Sequence, residues 1–135
     1  MYLVDTNVWL ESLLEQERSK EAIGFLRGIP AEDMLMTDFS LHSVALVLTR
    51  LGKFDGLLKF VQDALVDGAV RIVRLSSREM TNVVETMQRF RLDFDDAYQY
   101  VAASKHGLTL VSFDADFDRT EQGRKTPGQV LSALG

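Results

Sequence analysis

Residues 108–119 read LTLVSFDADFDR: Leu108 to Phe113 is an apolar run, and aspartates follow at Asp114, Asp116 and Asp118. A run of that length and composition predicts a buried strand. The same pattern, strand then aspartate, recurs at Tyr2-Leu3-Val4-Asp5 and at Met34-Leu35-Met36-Thr37-Asp38. After Asp5, Val8, Leu10, Leu13 and Leu14 recur at helical spacing; after Asp38, Leu41, Val44, Ala45, Leu48 and Leu51 do the same. Strands alternating with helices predict an α/β fold. Parallel neighbours need crossover connections, so the expected architecture is one three-layer domain over residues 1–135, with a mostly parallel central sheet flanked by helices.

The remaining segments fit that frame. A helix is expected from Ser19, its cap, to Gly28, and another from about Phe54 to Val66 with Leu57, Leu58, Val61, Ala64 and Leu65 inward. Ala69 to Leu75 is expected as a strand, and Ser76-Ser77-Arg78-Glu79 as the start of a helix that turns Met80, Val83, Val84 and Met87 to the core. A further helix should begin at Asp95 or Asp96 and stop at Gly107, and Thr126-Pro127 should open the last. Trp9 and Phe54 are expected in the core.

Composition narrows the chemistry. A formal net charge of −5 argues against a generic basic surface for nucleic acid, although Arg119, Arg124 and Lys125, directly after the acidic loop, are candidates for local contacts to a nucleic-acid backbone. Cysteine is absent, which removes disulfides and thiolate ligands and points away from zinc, toward hard cations held by oxygen. No apolar run approaches the ~20 residues that span a bilayer, and the first residues lack a signal-peptide pattern, so a cytoplasmic location with no membrane association is expected.

In open parallel sheets, ligands gather beyond the carboxyl ends of the strands. Asp5, Asp38 and Asp114 are all expected at that edge, and Asp96 near the start of a helix. A single aspartate there is commonly a cap or an Asx-turn. Several together are different. Two unit charges about 5 Å apart repel by roughly 3 kcal/mol at an effective dielectric of 20, and a divalent cation such as Mg2+ or Mn2+ offsets that cost. Such a site supports phosphodiester hydrolysis by an activated water.

Tyr-Leu-Val-Asp5-Thr6-Asn7, Asp96-Ala97 within a helix, and Leu-Val-Ser112-Phe-Asp114-Ala-Asp116-Phe117 together resemble the PIN-domain family, over nearly the whole chain. The resemblance implies an endoribonuclease using Mg2+ or Mn2+, often a homodimer, and often the toxin of a toxin-antitoxin pair with an antitoxin protein as partner. Carried over by position, Asp5, Asp96 and Asp114 look like the catalytic, metal-holding acids and Asp116 like an accessory ligand. Asn7 and Ser112 look like supporting residues, with Ser112 near the attacking water or phosphate. Asp95 and Asp118 are expected to tune the field or face solvent.

One position departs from the pattern. The family usually carries a glutamate in the helix after the second strand, where this chain has Ser43, next to His42. Asp38 and His42 are two alternative replacements; a third consequence is a module that binds RNA without cutting it. A phosphoryl-transfer enzyme with an aspartate nucleophile ranks low, because Asp5-Thr6-Asn7 supplies one carboxylate where that chemistry resembles D-x-D.

Overall fold

The computed structural model describes residues 1–134. Four strands, β1 (Tyr2–Val4), β2 (Met34–Thr37), β3 (Arg71–Val73) and β4 (Thr109–Val111), form a parallel sheet in the order β3-β2-β1-β4. Leu3 of β1 sits opposite Leu35 on one side and Leu110 on the other. The helices are α1 (Thr6–Leu13), α2 (Ser19–Gly28), α3 (Asp38–Arg50), α4 (Phe54–Phe60), α5 (Met80–Phe90), α6 (Phe94–Lys105) and α7 (Pro127–Leu134). The expected α/β class and layering are therefore present.

Alternate residues of each strand feed two cores, as the two-residue repeat of a strand requires. Val4, Met34, Met36 and Val111 pack with Val8, Phe25, Val44, Leu48, Phe60 and Val130 on one face. Leu3, Leu35 and Leu110 pack with Val83, Ala97, Val101 and Phe117 on the other. The crossovers from β1 to β2 and from β2 to β3 lie on the first face, whereas α5 and α6, which carry the chain back from β3 to β4, lie on the second. Right-handed crossovers demand this change of face when the strand order reverses. No helix among the described residues is long and apolar enough to cross a membrane.

Several local expectations shift. The β3 strand is shorter than the apolar run around it, and its Arg71 and Ile72 are exposed because the strand is at the sheet edge. Leu58 is 69% exposed and Val84 47%: each lies beside, not within, the stripe that faces the core. Phe54 is 58% exposed, whereas Trp9 is buried against Phe60 and donates its indole N–H to the Val4 carbonyl. After α4 the chain continues as a π-helical turn, Val61–Val66. Arg18, not Ser19, occupies the cap position of α2, and α6 opens one residue earlier than expected, at Phe94.

Candidate metal centre

The order reversal falls between β1 and β4, the position at which an open α/β sheet leaves a crevice beyond its carboxyl ends. Asp5 ends β1 there. Its backbone N–H extends the ladder to the Val111 carbonyl at 2.9 Å, and its side chain caps α1 by accepting from the Thr6 N–H at 2.8 Å. The same oxygen, Oδ1, accepts from Gln99 Nε2 at 2.9 Å, and Oδ2 accepts from the Ser112 hydroxyl at 2.7 Å. With 5% exposure, burial pushes the Asp5 carboxyl above its usual range; the Gln99, Ser112 and Thr6 donors oppose that rise, and the Asp114 charge adds to it.

Asp96 stands in the first turn of α6, and Asp114 follows β4. Carboxylate oxygens of Asp96, Asp114 and Asp116 lie within 4.8 Å of one another, and so do those of Asp93, Asp95 and Asp96. Asp96 belongs to both groups. Burial first, then the charges of Asp114, Asp95 and Asp5, push its carboxyl up to about 8. Asp5, Asp95, Asp96 and Asp114 together line a cleft of about 270 Å³ whose opposite wall includes Leu10, Phe39 and Val47. The ion pairs of the described residues are Lys59–Asp63, Arg89–Glu121, Lys105–Glu79, Arg119–Asp116 and Arg124–Asp118, so none of those four acids has an ion-pair partner. An all-oxygen donor set with unbalanced negative charge fits a hard divalent cation.

The cleft rests on a buried polar network. Thr37, the cap of α3, donates to Gln99 Oε1 at 2.6 Å, which turns the Gln99 amide nitrogen toward Asp5 and Ser40 Oγ, the latter at 2.7 Å. Ser40 in turn meets the Thr6 hydroxyl at 2.9 Å. Across the crevice, Ser112 Oγ accepts from Asn7 Nδ2 at 3.2 Å and from the Asp114 N–H at 2.9 Å, while Asn7 Oδ1 accepts from the Phe113 N–H at 3.2 Å. With its proton committed to Asp5, the Ser112 hydroxyl organises the acids and has no donor left for a water or phosphate. Gln99 escaped the sequence reading. Its one signal was position, three residues after Asp96 on the same helix face.

Asp38 goes elsewhere. Its Oδ1 accepts from Tyr98 OH at 2.8 Å and from the Phe39 N–H at 3.0 Å, and it is not among the cleft-lining residues. His42 is exposed and outside the cleft too, whereas Ser43 lines it. The position of the missing glutamate thus faces the acids with neither proposed replacement beside it. Asp118 pairs with Arg124 at 3.2 Å, which holds its carboxyl below the usual range. Arg124 also donates to the Ser112 carbonyl, and Arg119 donates to the carbonyls of Phe90 and Arg91. These two arginines serve the fold. Lys125 is exposed, with its backbone bonded to Leu110 and Ser112.

The family model for the PIN domain matches residues 2–123. Among solved structures, the chain is similar to one from a toxin-antitoxin complex of Klebsiella pneumoniae (TM-score 0.74, 21% identity, 94% of this chain and 98% of that one). It is also similar to one from FitAB bound to IR36 DNA fragment (TM-score 0.81, 20% identity, 95% and 96%). A third is Mycobacterium tuberculosis VapC20, a Sarcin-Ricin loop cleaving toxin (TM-score 0.75, 19% identity, 87% and 93%). No curated protein sequence matches significantly.

Proposed function

The chain belongs to the PIN domain family, and from that premise we propose that it is an endoribonuclease dependent on Mg2+ or Mn2+. The observation that carries the reading is the convergence of Asp5, Asp95, Asp96 and Asp114 on one cleft without a cationic partner. Asp5, Asp96, Asp114 and Asp116 would hold the metal. When bound, a divalent ion acidifies a water and neutralises charge developing on the phosphodiester.

The chain's own residues prepare the site. Thr6 and Gln99 both donate to Oδ1 of Asp5 and Ser112 alone donates to Oδ2, so Oδ2 keeps a lone pair free for an ion. Asp96, with its carboxyl raised to about 8, carries a proton at neutral pH in the metal-free protein and must release it to become a ligand. The Asn7 side chain ties the loop after β1 to the peptide between Ser112 and Asp114, which keeps the two strand ends in register.

The similar chain from a toxin-antitoxin complex supports placing this one as the toxin of such a pair, with an antitoxin protein as partner; a cytoplasmic location and a homodimer as the working form complete the proposal. Incubation of purified protein with RNA and Mn2+ or Mg2+ should give cleavage products, and Asp5→Asn should remove them. Cleavage that persists in this variant overturns the assignment. Analytical ultracentrifugation tests the dimer.

A second reading, a module that binds RNA without cutting it, is favoured by one observation: Ser43 lines the cleft where the family usually has a carboxylate. RNA retained in a gel shift, with no products at high Mn2+, supports it. Cutting gained by Ser43→Glu would identify the missing acid as the cause.

A further inference from the structure

The two arginines nearest the acidic loop in sequence make intramolecular bonds, yet another cation reaches Phe113, the residue before the cleft-lining Asp114. Arg18, between α1 and α2, lies with its guanidinium carbon 5.1 Å from the centre of the Phe113 ring. Its Nη1 reaches the Phe113 carbonyl at 3.5 Å, the outer limit of a hydrogen bond, and its backbone N–H donates to Glu11 Oε2 at 2.9 Å. Arg18 is exposed and takes part in none of the ion pairs of the described residues. Phe113 is the residue between Ser112, which holds Asp5, and Asp114, which lines the cleft; its own N–H is held by Asn7. The aromatic ring therefore fixes a guanidinium, through a cation–π contact, one residue from the candidate metal ligands.

We infer that Arg18, backed by Phe113, is a phosphate-binding subsite that holds a backbone phosphate of single-stranded RNA next to the one at the acids. This rests on the nuclease reading above. A metal ion offsets the repulsion between the acids and the phosphate it meets, but the adjoining phosphate of the same strand still faces four carboxylates. A guanidinium carries five N–H donors, and at most one of those on Arg18 is engaged within the chain. The remainder have no partner among the described residues, and the residue is exposed, so the fork geometry that matches phosphate oxygens is free to be used. Arg18 is thus a substrate-positioning residue, and Phe113 positions Arg18.

The test uses a fluorescent single-stranded RNA oligonucleotide and the full-length chain, with binding measured in the Asp5→Asn background across a salt series and cleavage measured in the wild-type background. Arg18→Ala should reduce the slope of log affinity against log salt by about 0.7, the value of one phosphate contact on a single strand. In cleavage it should raise KM several-fold with kcat within about twofold, the signature of binding shared by ground and transition states. Arg18→Lys should keep the slope, and Phe113→Leu should weaken binding in the same direction as Arg18→Ala. An unchanged slope and KM in Arg18→Ala overturn the subsite and leave the nuclease reading standing, since Asp5→Asn tests that reading independently. Failure of both the Asp5→Asn protein and the wild type to bind the oligonucleotide overturns both. Arg18 is exposed, and equal melting temperatures for Arg18→Ala and wild type separate loss of binding from loss of fold.

Discussion

Asp5 and Asp38 begin as equivalents. Each follows a parallel strand at the same sheet edge, and each accepts a hydrogen bond from the backbone N–H of the next residue, Thr6 or Phe39. Their surroundings then part. Asp5 lies between β1 and β4, where the strand order reverses, and meets Gln99, Ser112, Asp96 and Asp114. Asp38 ends β2, flanked by β1 and β3, where the chain runs on in one direction. A tyrosine fills that side: Tyr98 OH donates to Asp38, accepts from the Leu75 N–H at 3.0 Å, and packs its ring against Phe39 and Phe94. The same residue type after a strand of the same sheet thus anchors a tyrosine at one strand end and joins an acidic cleft at another. Topology decides which.

Asp5→Asn should give the largest effect that separates these two aspartates: loss of RNA cleavage by at least about a hundredfold in a gel-based assay, as expected for removal of a charge on which the metal depends. Gln99→Leu should come next. It leaves the Thr37 hydroxyl and Asp5 Oδ1 short of a partner, and should weaken Mn2+ binding by roughly 10–100-fold in calorimetry, in line with other loss of groups that orient metal ligands.

Asp96→Asn sharpens the comparison through pH. The unfolded chain releases this proton near 3.8, whereas the folded, metal-free protein holds it to about 8. The folded state therefore binds more protons across that window, so its stability is full below about 4 and falls as pH rises toward about 8. Asp5, also raised, acts in the same direction. Scanning calorimetry in chelator should show the melting temperature falling with rising pH in the wild type, and a flatter profile in Asp96→Asn. The smallest effect is reserved for Asp38→Asn. Cleavage and Mn2+ affinity should stay within about twofold, while denaturant unfolding reports a loss of about 0.5–1.5 kcal/mol from the weakened Tyr98 contact. A large loss of Mn2+ affinity in Asp38→Asn would erase the distinction between the two strand ends.

Much of this was legible in the sequence because the signals are local. Strand runs ending in aspartate, helical spacing after Asp5 and Asp38, and the Ser76–Glu79 capping box each depend on a few neighbouring residues, and each is present. The adjacency of β1 and β4 was not readable, because strand order is set by which face each crossover takes. The intramolecular bonds of Arg119 and Arg124 were unreadable for a related reason: beside the acids in sequence, they bond to carbonyls and to Asp116 and Asp118. Gln99 carries no charge and sits in no acidic run, so its service to Asp5 emerges only when α6 is laid across the ends of β1 and β2. Leu58 and Val84 show the limit of apolar spacing, since a residue next to the core stripe looks the same in sequence as one within it.

Helix α6 is enclosed along seven consecutive residues beyond its acid, Ala97 to Ala103, so water reaches almost none of its middle. Its amide protons should exchange with solvent only when the entire chain opens, at the slowest rate in the molecule. The acid in its first turn is thus mounted on a body with the lifetime of the fold itself.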